Sequence, residues 1–217
     1  MSVVRNQSTA TGVSVAERVR AYVLCMPSGE PFSVRELLAL GPRASVDQAL
    51  SRMARAGEIE RVTRGIYARL KVNETLGRTV PVEPEKVVAA IARAAGAKVN
   101  VHGAEAARRF GLTTQVPIRQ VYMTSGRSRH VHLRTGDVIL VHAAPSRMEL
   151  AGTPAGEALS ALLYLGKSEV TPEVIRRVRA ALPKEEFVRL RTATASVPAW
   201  LSDNLYEATR MQSALSA

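Results

Sequence analysis

Cysteine, aromatic side chains and long apolar runs are all scarce in this 217-residue chain. Cys25 is the only cysteine, which excludes an internal disulfide and a cysteine-rich zinc site. Aromatic residues make up 4% of the chain, so we expect a core built from Ala, Val, Leu and Ile. No apolar run approaches the roughly 20 residues of a membrane span, and the polar first residues lack the apolar stretch of a secretory signal. We therefore expect a cytoplasmic protein with no membrane contact.

Acidic side chains are few relative to basic ones. The chain has 30 Lys and Arg against 19 Asp and Glu, a formal net charge of +11. Basic and acidic residues number 12 and 7 in residues 1–80, 10 and 5 in residues 81–150, and 8 and 7 in residues 151–217. A basic excess in the first two thirds favours a polyanionic partner, because neutralised phosphates release their counterions. The alternative is an Arg-rich composition that serves solubility alone.

The signatures of common enzyme classes are missing. There is no Walker loop, GxGxxG, HExxH or GxSxG motif. A nucleotidyltransferase needs closely spaced aspartates, yet only Asp137 and Asp203 follow residue 100. We therefore predict a protein that is not an enzyme and needs no cofactor. A nucleotide-handling enzyme that uses residues 96–150, with His102, His130 and Arg134, stays open as an alternative.

Three helix-start signals follow one another near the N-terminus. Ser14, Ser33 and Ser45 are each followed three residues later by Glu or Gln, the pattern of a capping box. The third signal predicts a helix from Ser45 to Gly57. Residues 59–62 and 66–70 then predict two strands joined by a tight basic turn. Three helices and a hairpin predict a winged helix-turn-helix over residues 14–72.

The third predicted helix has an apolar face and a polar face. Val46, Leu50 and Met53 share the apolar face, and Gln and Arg side chains, which can read base edges in the major groove, lie on the other. Arginines of the strand pair could enter the minor groove or contact the backbone. The alternative is an ordinary solvated surface. The predicted DNA-binding residues are Arg43, Ser45, Gln48, Ser51, Arg52, Arg55, Arg61, Thr63 and Arg64.

The rest of the chain predicts a second domain, which makes the fold class α+β. We expect residues 1–13 to be disordered, residues 73–83 to form a linker, and residues 84–217 to form a mixed α/β domain ending in a helical segment. Its predicted helices span residues 84–95, 104–110, 154–165, 172–182, 184–194 and 198–211, and its predicted strands span residues 98–101, 119–124, 129–133 and 137–143.

A second cluster of basic residues lies in the predicted strands of this domain. It comprises Arg127, Arg129, His130, His132 and Arg134. His130 and His132 share one face of a strand and could chelate a metal, but no nearby Cys or pair of carboxylates completes a site, so we predict no metal. The cluster suits a phosphate-contacting surface or an acidic protein partner.

Several motifs resemble those of one family. Residues 57–67 (GEIERVTRGIY) resemble the wing signature of AbiEi-type antitoxins, including the group known as DUF6088. Residues 102–107 (HGAEAA), 111–117 (GLTTQVP), 122–126 (YMTSG) and 161–166 (ALLYLG) are similar to motifs of the group's second domain. The resemblance covers roughly residues 14–182, and the helical tail from Pro183 has no clear counterpart in it.

The resemblance implies a two-part protein. Its winged helix would bind inverted repeats in double-stranded DNA of its own promoter and repress transcription, with contacts from Gln48, Arg52, Arg55 and Arg64. Its second domain would neutralise a nucleotidyltransferase-like toxin of a type IV toxin–antitoxin system, without need of a stable complex. Residues 127–134 would extend the DNA footprint. The alternative is a winged-helix regulator whose second domain senses a ligand or dimerises and has no antitoxin role.

Overall fold

A computed structural model describes residues 13–193 and 197–215 as a mixed α+β protein. The chain divides into two compact units, residues 1–87 and 88–217. Of the segment predicted to be disordered, residues 1–12 lie outside the described residues. No helix in the described ranges is both long enough and apolar enough to cross a bilayer.

The first unit begins with helix α1 (Val15–Cys25), and its start confirms the first predicted capping box. The Ser14 hydroxyl accepts a hydrogen bond from the Glu17 N–H at 3.2 Å, and the Glu17 carboxylate accepts one from the Ser14 N–H at 2.8 Å. These two bonds satisfy donors that the first helical turn leaves without partners. Val19 and Val23 then recur on one side of the helix and are fully buried.

Three strands and two further helices complete the core of this unit. They are strand β1 (Pro31–Ser33), a 3₁₀ helix (Val34–Leu40), helix α2 (Arg43–Arg55), and strands β2 (Ile59–Thr63) and β3 (Ile66–Arg69). The strands form an antiparallel sheet in the order β1-β3-β2. Phe32 of β1 and Tyr67 of β3 stack with their ring centroids 6.2 Å apart, and both belong to the core of this unit.

The predicted linker is wrong in part, because residues 73–83 contain regular structure. Strands β4 (Lys71–Asn73) and β5 (Arg78–Val80) form an antiparallel hairpin. The Asn73 carboxamide accepts a hydrogen bond from the Leu76 N–H at 3.0 Å, and Gly77 supplies a positive φ of 59° for the turn. Most of these strand residues are exposed, so they leave no alternating apolar pattern in the sequence.

The second unit holds a four-stranded mixed sheet. The boundary between the units falls within helix α3 (Pro84–Ala95), which has the predicted bounds. Strands β6 (Val99–Val101), β7 (Gln120–Thr124), β8 (Arg129–Leu133) and β9 (Gly136–His142) lie in the order β6-β7-β9-β8. The β7–β9 pair is parallel and the other two pairs are antiparallel. Helix α4 (Gly103–Arg109) separates β6 from β7 along the chain.

Four helices follow the sheet and share one core. After a 3₁₀ turn (Pro145–Met148) come α5 (Pro154–Leu165), α6 (Pro172–Ala181), α7 (Lys184–Thr192) and α8 (Ala199–Leu215). Helices α5 and α6 each have Pro at the first position behind a capping Thr. Leu190 and Leu201 of the tail are fully buried in the same cluster as Leu162. The tail after Pro183 is therefore an integral part of this unit.

Candidate nucleic-acid interface

Helix α2 starts earlier than the sequence indicates. Pro42 precedes the helix with φ −56° and ψ 142°, and Arg43 is its first residue. The third predicted capping box is therefore wrong, because Ser45 lies inside the first turn and does not cap it. Ser45 is half-buried there. The Pro42 ring fixes a backbone angle that suits the chain just before a helix, so the helix begins without a side-chain cap.

The two faces of α2 are separated as the sequence predicts. Val46, Leu50 and Met53 are buried in the core of the first unit. With 3.6 residues per turn, Gln48, Ser51 and Arg55 point away from that core, and Arg52 flanks them. Gln48, Arg52 and Arg55 are exposed, and Ser51 is half-buried. The outward face of α2 therefore presents long polar and cationic side chains to solvent.

Two contacts organise this face. The Arg55 guanidinium donates to the Ser51 hydroxyl at 3.3 Å, which holds the side chain along the helix. The Arg43 Nε atom lies 3.1 Å from a carboxylate oxygen of Asp47, one turn later. Arg43, which the sequence predicts to bind DNA, is thus held by an acidic neighbour on its own helix.

The turn between β2 and β3 presents further arginines. Arg61 and Arg64 are exposed, and Thr63 is half-buried. Gly65 adopts a φ of +79°, and its carbonyl accepts a hydrogen bond from the Val34 N–H at 3.1 Å, which ties the turn to the 3₁₀ helix. Over the part of the chain that the structure describes, the side chains of Arg61 and Arg64 contact no carboxylate.

Two charged groups of this unit have structural contacts of their own. Glu58 forms an ion pair with Arg20 of α1, with Nε and Oε2 3.1 Å apart. Arg69 donates hydrogen bonds to the carbonyl oxygens of Leu24 and Met26, at 2.7 and 2.6 Å. The guanidinium thereby satisfies carbonyl groups at the C-terminal end of α1, which have no partner within the helix. No local pattern in the sequence indicates the Arg69 contacts, because the partners of Arg69 lie more than 40 positions earlier in the chain.

The second basic cluster lies on and beside strand β8. Arg127, Arg129, His130, His132 and Arg134 are all exposed, and Val131 between the histidines is buried, which confirms the strand alternation. The Nδ1 atom of His132 lies 2.9 Å from a carboxylate oxygen of Asp137 on β9. Within residues 13–193 and 197–215, no three His, Cys, Asp or Glu side chains converge as metal ligands would.

Comparison with known proteins gives a family. Residues 18–190 match a family of unknown function, DUF6088. No curated protein matches the chain. Among solved structures, the crystal structure of the RV2827C protein from Mycobacterium tuberculosis is similar at 16% sequence identity and a TM-score of 0.40, over 90% of this chain and 82% of that one. The family match spans most of the sequence, and the chain belongs to DUF6088.

Proposed function

We propose that the first unit is a winged helix-turn-helix that binds double-stranded DNA sequence-specifically, with α2 as its recognition helix. The observation that carries the proposal is the exposed row of Gln48, Arg52 and Arg55 opposite the buried face of α2. Gln pairs with adenine and Arg with guanine in the major groove. The order helix, strand, two helices and two strands is the order that a winged module uses.

The β2–β3 turn is the proposed wing. Helix α2 contacts β2, so the turn belongs to the same compact unit as the proposed recognition helix. Arg61 and Arg64 have guanidinium groups available for phosphate or for the negative potential of a narrow minor groove. These contacts would position the protein and contribute affinity with little base selectivity.

The basic cluster at β8 is proposed as a second phosphate-contacting surface. Its exposed Arg127, Arg129 and Arg134 add positive charge to the second unit. Asp137 of the neighbouring strand β9 places a negative charge beside His132, so the arginines carry the attraction. This surface would raise affinity for all sequences to a similar extent.

We further propose a biological role for the chain as an autorepressor and antitoxin in the cytoplasm. The support is the set of second-domain motifs in residues 102–166 that resemble those of AbiEi-type antitoxins. On this proposal the chain represses its own promoter through inverted repeats and counteracts a nucleotidyltransferase-like toxin, and it is not itself an enzyme. A regulator whose second unit senses a ligand is the rival proposal.

DNA binding is tested by mobility shift with the duplex upstream of the chain's own reading frame and a scrambled duplex of equal length. We expect a preference of about a thousandfold or more at physiological salt. Arg52→Ala would lose discrimination at one base pair, about 1–3 kcal/mol, whereas Arg64→Ala would weaken all duplexes and lower the salt slope by about one. Arg18→Ala, an equal charge change on α1, is the control. Equal binding of both duplexes would refute sequence-specific repression.

The antitoxin role needs a separate test. Co-expression with the neighbouring gene would show whether the chain relieves growth arrest. An Arg52→Ala and Arg55→Ala double variant, defective in DNA binding, is expected to keep this activity if neutralisation resides in the second unit. No relief by the wild-type chain would remove the antitoxin role and leave the DNA-binding proposal standing.

A further inference from the structure

A cavity of about 360 Å³ opens in the second unit between β7, α4 and α5. The residues that line it come from four separate segments of the chain, so the fold creates the cavity. Its polar lining consists of His102, Arg147, Ser160 and Tyr164. The volume is at the lower end of the range for small-molecule pockets. The cavity is distinct from the basic cluster at β8 and from α2.

A buried hydrogen-bond network supports the floor of the cavity. Ser160 is 6% exposed, and its hydroxyl accepts a hydrogen bond from the Asn100 side-chain amide at 3.0 Å. The same amide donates to the Gly156 carbonyl at 2.9 Å. The Ser160 hydrogen finds no acceptor among the described residues, so this hydroxyl can donate into the cavity.

His102 adds a second donor. Its Nδ1 atom accepts a hydrogen bond from the Ala104 N–H at 3.4 Å, and its ring meets that of Tyr164 edge-on at 6.2 Å. In the neutral ring the hydrogen then resides on Nε2. Burial lowers the pKa of His102, which keeps the ring neutral near pH 7.

Among the described residues that line the cavity, Arg147 alone carries a full charge at neutral pH and none is a carboxylate. Across the described ranges no acidic side chain pairs with Arg147. Met123, Leu159 and Leu163 provide an apolar wall. A single guanidinium with neutral donors matches one negative charge. A phosphate monoester carries about −1.5 to −2, which this lining would leave partly unbalanced.

We propose that this cavity binds a small monocarboxylate with an apolar or aromatic body. The carboxylate contacts Arg147 and the Ser160 hydroxyl, and the apolar body lies against Met123 and Leu163. The assignment stands independently of DNA binding and of the antitoxin role, and it makes the second unit a ligand-binding domain.

The test uses the full chain and three probes, phenylacetate, its uncharged analogue phenylacetamide, and phenyl phosphate. Binding is followed by calorimetry and by amide chemical shifts. We expect phenylacetate to bind saturably, with a Kd of about 10 mM or lower, and with amide shifts centred on residues 102, 123 and 160. Phenylacetamide and phenyl phosphate would each bind at least about tenfold more weakly than phenylacetate.

Variants localise the site. Arg147→Gln would weaken phenylacetate about tenfold and leave phenylacetamide unchanged, while Lys167→Gln, an equal charge change at an exposed position outside the cavity, would alter neither. Ser160→Ala would weaken phenylacetate by a smaller factor. Equal affinity for acid and amide, stronger binding of phenyl phosphate, or loss of all binding in Lys167→Gln would overturn the proposal, as would the absence of saturable binding.

Discussion

The side-chain amide of Asn100 on β6 lies 3.0 Å from the hydroxyl of Ser160 on α5, and both residues are buried. The same amide binds the Gly156 carbonyl, so one polar side chain joins the sheet to the helix that covers it. A buried polar group is stabilising only while its partners are present, because the loss of one partner leaves the other without water or protein contacts.

Asn100→Ala is therefore expected to destabilise the second unit by about 1–3 kcal/mol, because it leaves two buried acceptors without a donor. Urea unfolding followed by circular dichroism measures the change. Asn204→Ala is the matched control, because Asn204 makes one longer bond of 3.3 Å to Val170 in a half-buried place. Equal losses in the two variants would contradict a special role for the Asn100 network.

Gly103 is predicted to tolerate no side chain. A Cβ atom there would overlap the Cβ atom of Tyr164 and lie 2.5 Å from the Ser160 carbonyl oxygen. Gly103→Ala would force α4 away from α5, at a cost of about 1–3 kcal/mol or more. At Gly126, the nearest atom to such a Cβ is 3.2 Å away, so Gly126→Ala is the milder control. A Gly103→Ala protein that melts at the wild-type temperature would disprove the close approach.

Asp47 is predicted to weaken DNA binding in the wild-type chain. It is exposed on the proposed recognition helix and holds Arg43 in an ion pair. Asp47→Asn removes a negative charge and releases that guanidinium, so affinity for every duplex would rise about three- to tenfold at low salt. Stability would change by less than about 1 kcal/mol, as for other exposed pairs. Titration of labelled duplex followed by fluorescence anisotropy measures the affinity of each protein.

Asp203→Asn on α8 provides the comparison for Asp47→Asn, because it makes the same charge change in the other unit. A similar gain in both variants would mean that net charge alone acts. A gain confined to Asp47→Asn would support contact between α2 and the duplex.

The pKa of His102 gives a pH dependence of stability. Burial lowers the pKa in the folded chain, so the unfolded chain takes up the proton first as the pH falls. The free energy of unfolding is thus expected to be unaffected by His102 above about pH 7.5 and to fall as the pH drops through about 6.5, the unfolded pKa. The decline ends once the pH lies below the folded-state pKa.

His102→Asn isolates this effect. Asn can still accept the Ala104 N–H bond at the start of α4 but does not titrate. The difference in unfolding free energy between wild type and variant, measured in urea at about pH 7.5 and 5.5, is expected to shift in favour of the variant at the lower pH. A difference independent of pH would show that the fold imposes no penalty on the protonated ring.

Local signals made much of the fold predictable. Helix α5 has the predicted bounds because Thr153, Pro154 and Gly166 all mark its ends, and the strands β7 to β9 follow apolar alternation. Strand β1 was not predicted, since three residues cannot show a period and its pairing with β3 joins positions far apart in the sequence. The early start of α2 was missed because Pro42 sets the backbone there without a side-chain cap.

The two candidate sites, the face of α2 and the cavity in the second unit, also differ in whether the sequence predicts them. The face of α2 follows from helical spacing within one element, so the sequence is sufficient to find it. The cavity beside Ser160 could not be predicted, because His102, Arg147 and Tyr164 approach one another only through the packing of α4 and α5 and the course of the chain after β9. His102, Met123 and Tyr164 lie in motifs that the sequence analysis describes, but no spacing in the sequence links them to one another or to Arg147.

Strand β8 lies at the edge of its sheet, so its basic residues affect more than nucleic-acid binding. Among the described strands, β8 pairs only with β9 and so ends the sheet, with Arg129, His130 and His132 exposed along it. Charge on a terminal strand discourages a second molecule from adding its own strand there. Neutralising these positions would therefore change two properties together, attraction to nucleic acid and resistance to self-association. A loss of DNA affinity in such variants is interpretable only when the protein is shown to have stayed monodisperse.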